Sequence, residues 1–311
     1  MASPAPPRLL VAFDDSPPAA TAVRVAAALF PAARADVLNV HPEPFTIERL
    51  RTSAGGLIPT SVTASGLEEL DRGMLRSAAE IAGRGLEVAR TAGLTDATAA
   101  TTADPRAWRG IIAHADAIDA DAIVCGGHGA GVLARAVLGS VAESVLHAAQ
   151  RPVIVVPADA APSADGPIVI AYDGSPDAQA AIATAGRLLS GRRAIVVHAW
   201  TPLTVAPGLD LVPIESVREM TRDLETIAAE QAAAVADEGA GRAAEAGLSA
   251  TALSVRGTGN PWHAVAQAAE DHDAALVVAG SRGQGRVTAL LLGSVSSGLV
   301  HNATRPTLIV H

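Results

Sequence analysis

Lysine is absent from this chain, and cysteine and the aromatic residues are close to absent. Without lysine there is no Walker-type Gly-x4-Gly-Lys loop, so a phosphate site would have to be built from backbone groups, hydroxyls and arginine. One cysteine, Cys125, leaves no internal disulfide framework and no cysteine-based zinc site, and its apolar surroundings in sequence read as a buried core thiol. Aromatics make up only 2% of the residues against 49% hydrophobic overall, so the core must be built from Ala, Val, Leu and Ile. That composition suits helices packed on a buried parallel sheet. Positive charge is also scarce: 23 arginines face 32 acidic residues, for a net charge of −9. This balance opposes sequence-independent attraction to nucleic acid or to an anionic membrane, and neither is expected as a partner. No run reaches the roughly 18 consecutive apolar residues needed to cross a bilayer, and the first residues lack the apolar core of a signal peptide. A cytoplasmic location is the expectation. The nine histidines are scattered, and no metal site is expected from them.

What the sequence does contain is a duplication. Shifting the chain by 154 residues places Gly126, Gly129, Gly139, Ser140, Val141, His147, Arg151 and Pro152 on Gly280, Gly283, Gly293, Ser294, Val295, His301, Arg305 and Pro306, and carries Trp108 onto Trp262 and Asp119 onto Asp273. The stretches LLVAFDDSP at 9–17 and IVIAYDGSP at 168–176 match at a slightly different shift. So long a period means duplicated domains, here 1–160 and 161–311, joined by the Pro-, Ala- and Asp-rich stretch 157–167. Short apolar runs alternate with longer amphipathic ones in each half, the pattern of a parallel sheet with crossover helices. Strands are expected at 9–13, 36–40, 96–102, 121–125 and 152–156, and again at 167–172, 193–199, 248–255, 274–279 and 305–310. Long helices are expected at 67–93 and 216–247, each ending at glycine, after loops at 42–66 and 201–215 that are candidate lids. The fold class is α/β: two tandem, doubly wound, five-stranded parallel-sheet domains, Rossmann-like, with strand order 3-2-1-4-5 in each.

Two constellations recur in both halves. After the fourth strand comes Gly-x2-Gly-x9-Gly-Ser, with Gly126, Gly129, Gly139 and Ser140 in the first half and Gly280, Gly283, Gly293 and Ser294 in the second. Glycine admits close approach of a ligand to the backbone, and a Gly-Ser helix start presents N–H groups at the positive end of the helix dipole. Arg282 adds a cation to the second loop where the first has His128. After the first strand come Asp14-Asp15-Ser16-Pro17 and Asp173-Gly174-Ser175-Pro176. Ser followed by Pro is a helix N-cap pair. Asp14 and Asp173, at the C-terminal ends of buried strands, are expected to face a ligand instead. Strands one and four border the topological switch point of a 3-2-1-4-5 sheet, where open α/β sheets bind ligands. The two constellations therefore predict one site per domain.

These motifs resemble the universal stress protein family in its tandem, ATP-binding branch, together with the Arg-Pro-apolar last strands at Arg151 and Arg305. The resemblance implies an adenine nucleotide alpha hydrolase-like fold with ATP, with or without Mg2+, as the cofactor. It implies that Val40 and Ala199 contact adenine through their backbones, that Asp14 and Asp173 with Ser16 and Ser175 lie on the nucleoside side, and that Gly126 and Gly280 lie at the ribose. Gly129 and Gly283, with Gly139-Ser140-Val141 and Gly293-Ser294-Val295, would take the phosphates, beside His128 and Arg282. Asp15, where the family has glycine, adds negative charge and implies a weaker first site or one that takes a divalent ion. Related last strands pair across a dimer, which implies pairing of the two domains through 153–156 and 307–310, or a homodimer.

The function expected is that of an ATP-binding regulatory or stress-response module with no catalytic residues assigned. A slow ATP hydrolase is the alternative, with His128 the nearby titratable group, and cAMP is an alternative ligand. A dinucleotide-dependent oxidoreductase fits poorly, because its glycine fingerprint follows the first strand and here 127–131 follows the fourth.

Overall fold

The computed structural model describes residues 5–44, 63–127, 138–161, 163–201, 215–257, 259–283 and 292–311. The first half runs β1 (Arg8–Ala12), α1 (Pro17–Leu29), β2 (Arg34–His41), α2 (Ala64–Thr91), β3 (Ala97–Ala103), α3 (Ala107–Ala117), β4 (Ala122–Gly126), α4 (Ser140–Ala148) and β5 (Val153–Val156). The second repeats it with β6 (Ile168–Ala171), α5 (Pro176–Leu188), β7 (Arg193–Trp200), α6 (Glu215–Glu245), β8 (Ser249–Arg256), α7 (Pro261–Asp271), β9 (Leu276–Gly280), α8 (Ser294–Asn302) and β10 (Thr307–Val310). All ten strands join one sheet, ordered β3-β2-β1-β4-β5-β10-β9-β6-β7-β8. Each half therefore has the order 3-2-1-4-5 with every internal pairing parallel, and β5 lies antiparallel to β10. In that central pair Ile154 faces Leu308, equivalent positions of the repeat, so a local twofold axis passes between them.

Helices cover both faces, as a parallel sheet requires. One core joins α1, α2, α5 and α6 to one face of the sheet, and a second joins α3, α4, α7 and α8 to the other. Close approach of the long helices depends on Gly85 and Gly239. A Cβ at Gly85 would stand 2.7 Å from the Phe13 ring, and one at Gly239 would stand 2.6 Å from the Tyr172 ring. Both long helices end in Schellman turns, with Gly93 and Gly247 at φ of 97° and 90° and the next N–H returning to Ala89 or Ala243.

The recurrence of Asp119, Asp273, Arg151 and Arg305 is architectural. Asp119 and Asp273 sit at φ of 53° and 49° just after α3 and α7, a left-handed position that Asp tolerates better than most residues. Arg151 donates to Asp116 (2.8 Å), Asp119 (3.0 Å) and the Ala120 carbonyl, and Arg305 donates to Asp273 (2.7 Å), Glu270 (3.1 Å) and the Ala274 carbonyl (3.1 Å). Each arginine thus clamps the turn that enters the fourth strand of its half. Among the described residues no helix is long and apolar enough to cross a membrane.

Candidate functional site

Each first strand delivers its chain to a helix start through the same two hydrogen bonds. Asp14 Oδ1 accepts the Ser16 N–H at 3.1 Å, and Asp173 Oδ1 accepts the Ser175 N–H at 3.0 Å. Ser16 Oγ then caps α1 by accepting the Ala19 N–H at 3.3 Å, and Ser175 Oγ caps α5 through Ala178 at 3.2 Å. The aspartates therefore have a local structural task, an Asx turn, which sequence reading denied them. They also border the cavities described below. Ser16 does so too, whereas Ser175 is buried, committed to its cap and absent from the lining. Asp15 occupies φ 67° where the second half has Gly174 at 80°. Its carboxylate receives Arg84 Nε and Nη2, each at 2.9 Å, and does not line the first cavity. The extra negative charge expected of Asp15 at the first site is thus matched by a cation from α2.

The glycines divide by role. Gly126 and Gly280 end β4 and β9 directly beneath the first turns of α1 and α5. A Cβ there would lie 2.7 Å from the Pro18 carbonyl carbon or 2.5 Å from that of Asp177. The protein's own helix–strand packing requires these glycines, although both also line the cavities. Gly283 lies against Asp173, whose Oδ2 would stand 2.6 Å from an added Cβ. His128 and Gly129 lie outside the described residues, as do most of the loops proposed as lids.

Gly139 and Gly293 open α4 and α8 with extended backbones and no side-chain cap, in contrast to the serine-capped α1 and α5. The first-turn N–H groups of α4 and α8, at Ser140-Val141 and Ser294-Val295, therefore border the cavities without a capping oxygen among the described residues. Backbone donors at the positive end of a helix dipole suit an anion.

The cavity of the first half has a volume of about 340 Å³ and that of the second about 280 Å³, near the lower end of the roughly 300–1,000 Å³ of small-molecule sites. Each lies at the C-terminal ends of the first and fourth strands of its half, and the antiparallel seam turns those ends in opposite directions. Val40 lines one and Ala199 the other, within walls of Ala12, Leu38, Ile111 and Cys125 or of Ala171, Val197, Val265 and Ala279. Burial pushes the Cys125 thiol up to about 12, so it stays protonated. Each site thus combines an apolar slot with an uncapped helix start.

Among the lining and border residues that sequence reading missed are Asn39, His198 and Asp177. Asn39 Nδ2 donates to the Phe13 carbonyl at 2.9 Å, and His198 Nδ1 does the same to the Tyr172 carbonyl at 2.8 Å. They sit beside Val40 and Ala199 respectively, and both line the cavities. The shift that aligns the first strands also aligns these two polar residues inside apolar strands, which was the available signal. The third is Asp177, whose Oδ2 accepts from Arg282 N and Nε, each at 3.1 Å. Arg282 lines the second cavity but is held by this carboxylate.

Fold and site together define a doubly wound α/β protein with a duplicated crevice suited to a small anionic ligand. The Universal stress protein family model matches residues 7–157 and again 166–311, so the chain belongs to that family as a tandem member. It is 34% identical over 198 residues to a universal stress protein of Mycobacterium tuberculosis, a match covering 61% of this chain and 62% of that relative. A universal stress protein of Thermus aquaticus is 37% identical over 145 residues, covering 46% of this chain and 96% of the relative. Among solved structures, a universal stress protein from Archaeoglobus fulgidus has the same fold, with a TM-score of 0.57, 19% identity and 97% coverage of both chains.

Proposed function

We propose that each half binds one adenine nucleotide, ATP in the first instance, with or without Mg2+, and that the chain acts as a nucleotide-dependent regulatory or stress-response module in the cytoplasm. The observation carrying this reading is the contrast between helix starts. Serines cap α1 and α5, while α4 and α8 begin at uncapped glycines beside a cavity, in both halves. An apolar slot of small aliphatic residues suits a flat base, and the free first-turn N–H groups suit a phosphate. Asp14, Val40, Gly126 and Gly139-Ser140-Val141 would hold the ligand of the first site. Asp173, Ala199, Gly280, Gly283 and Gly293-Ser294-Val295 would hold that of the second. ATP or its Mg2+ complex would supply a polyphosphate chain for those N–H groups, and the residues assigned here bind and orient it. None is assigned a catalytic step. The two halves would pair through β5 and β10.

Calorimetric titration of the full chain with ATP and with cAMP, alongside mass spectrometry of any co-purified nucleotide, tests the reading. Up to two ATP per chain are expected, falling to one with Gly293→Glu. A Cβ at Gly293 already meets Arg282 Cα at 3.3 Å and the Ser281 carbonyl at 3.4 Å, and a carboxylate would repel phosphate. Lack of ATP binding by the wild type would reject the proposal. Steady phosphate release abolished by Gly293→Glu or Gly139→Glu would favour a slow ATP hydrolase.

A further inference from the structure

Asp177 is the second residue of α5, in the turn that rides over Gly280. Its Oδ2 accepts three hydrogen bonds from the start of the second glycine loop: Ser281 Oγ, the Arg282 backbone N–H and Arg282 Nε, each at 3.1 Å. A backbone amide, a hydroxyl and a guanidinium converging on one oxygen is the donor set that a phosphate oxygen takes. Arg282 lines the cavity and Asp177 does not, so the carboxylate pulls these donors from behind the lip. The first half has Pro18 at the equivalent position and Gly127 in place of Ser281, so it has no such carboxylate.

We infer that Asp177 is a built-in competitor for the ligand's phosphate and latches the second site, a regulation that rests on the nucleotide reading above. An anionic ligand gains Arg282 and its N–H only by displacing the Asp177 carboxylate. The latch therefore penalises any ligand that must place a phosphate on Arg282, and it makes the two sites of one chain unequal. Adenosine has no phosphate to place on Arg282 and is indifferent to the latch. If Asp177 instead served to aim Arg282 at the phosphate, its removal would weaken binding, so the sign of the effect decides.

The test titrates ATP and adenosine into the full chain carrying Gly139→Glu, which silences the first site, with and without Asp177→Asn. ATP binding is expected to tighten about tenfold while adenosine binding stays unchanged. Asp177→Ser, which also removes the carboxylate but keeps a polar first-turn residue, replaces the amide variant if that variant does not give a native circular dichroism spectrum. Unchanged or weaker ATP binding, or equal tightening of adenosine, overturns the latch and leaves the nucleotide reading standing. Failure of the wild type and of every variant to bind ATP overturns both.

Discussion

At the scale of single residues, position decides what a side chain can do beyond its chemistry. Asp173 holds the Ser175 N–H and borders the second cavity, so Asp173→Ala removes a turn bond and a cavity-lining carboxylate together. A loss of about 1 kcal/mol in unfolding free energy is expected, with ATP affinity at the second site falling about tenfold or more. Urea unfolding and calorimetry on the same sample separate the two effects, and unchanged affinity would leave Asp173 a turn residue only. Cys125 gives a pH prediction. Burial raises its folded pKa from the ordinary thiol value of 9.0 to about 12. Below pH 9 the thiol is protonated in both states and its full contribution is present; above it the unfolded chain ionises while the folded chain does not. Stability should therefore fall by roughly 1.4 kcal/mol per pH unit between about 9 and 12 from this group alone. Ala279 fills the equivalent position, so Cys125→Ala should fold and lose that component of the alkaline decline. Equal slopes for wild type and variant in urea unfolding at pH 8, 9 and 10 would show that the thiol is not desolvated.

At the scale of elements, two glycines in one helix are predicted to respond with opposite signs. A Cβ at Gly239 would lie 2.6 Å from the Tyr172 ring and 2.8 Å from Val196, whereas one at Gly241 meets nothing within 4 Å. Ala for Gly gains up to about 1 kcal/mol of helix propensity, but overpacking costs typically about 1–3 kcal/mol. Gly241→Ala should raise the thermal midpoint, and Gly239→Ala should lower it or leave the helix displaced from the sheet. The same contrast explains what sequence could deliver. Strands were legible because apolar runs such as 122–125 and 276–279 are buried on both faces, and helix ends because Gly93 and Gly247 must adopt positive φ. Observed strand limits differ from the expected ones by a residue or two. The packing role of the glycines at 85, 126, 239 and 280 was opaque because its reason is a partner element far along the chain, and the spacing of Gly126 and Gly280 fits a ligand equally well. Asp177 was opaque for the same cause, since its bonds to Arg282 span 105 residues.

At the scale of the whole molecule, the seam between β5 and β10 joins the halves into one sheet. All eight residues of these strands are buried, and Ile154, Val153, Leu308 and Ile309 have no exposed surface. Both hydrophobic cores run through the seam: Ile154 and Leu308 belong to one, Val153 and Ile309 to the other. Outside the sheet, Arg187 of the second half pairs with Asp121 of the first. Fully burying an aliphatic side chain of this size stabilises by about 1.5–3 kcal/mol, and only part of each burial comes from the opposite half. Separation would also expose two unpaired strand edges, which favours their remaining together. A protease site placed in the linker at 157–167 turns this into a measurement on the full-length protein. Once the chain is cut, association must offset an entropic cost estimated at about 4–15 kcal/mol. Retention of both fragments in one peak at micromolar concentration would then mean a net stabilisation of at least about 8 kcal/mol from the seam and its flanking contacts. Co-elution in size-exclusion chromatography, with separation only in denaturant, is the expected result. Elution of two folded fragments would mean that the linker, and not the strand pairing, keeps the halves together.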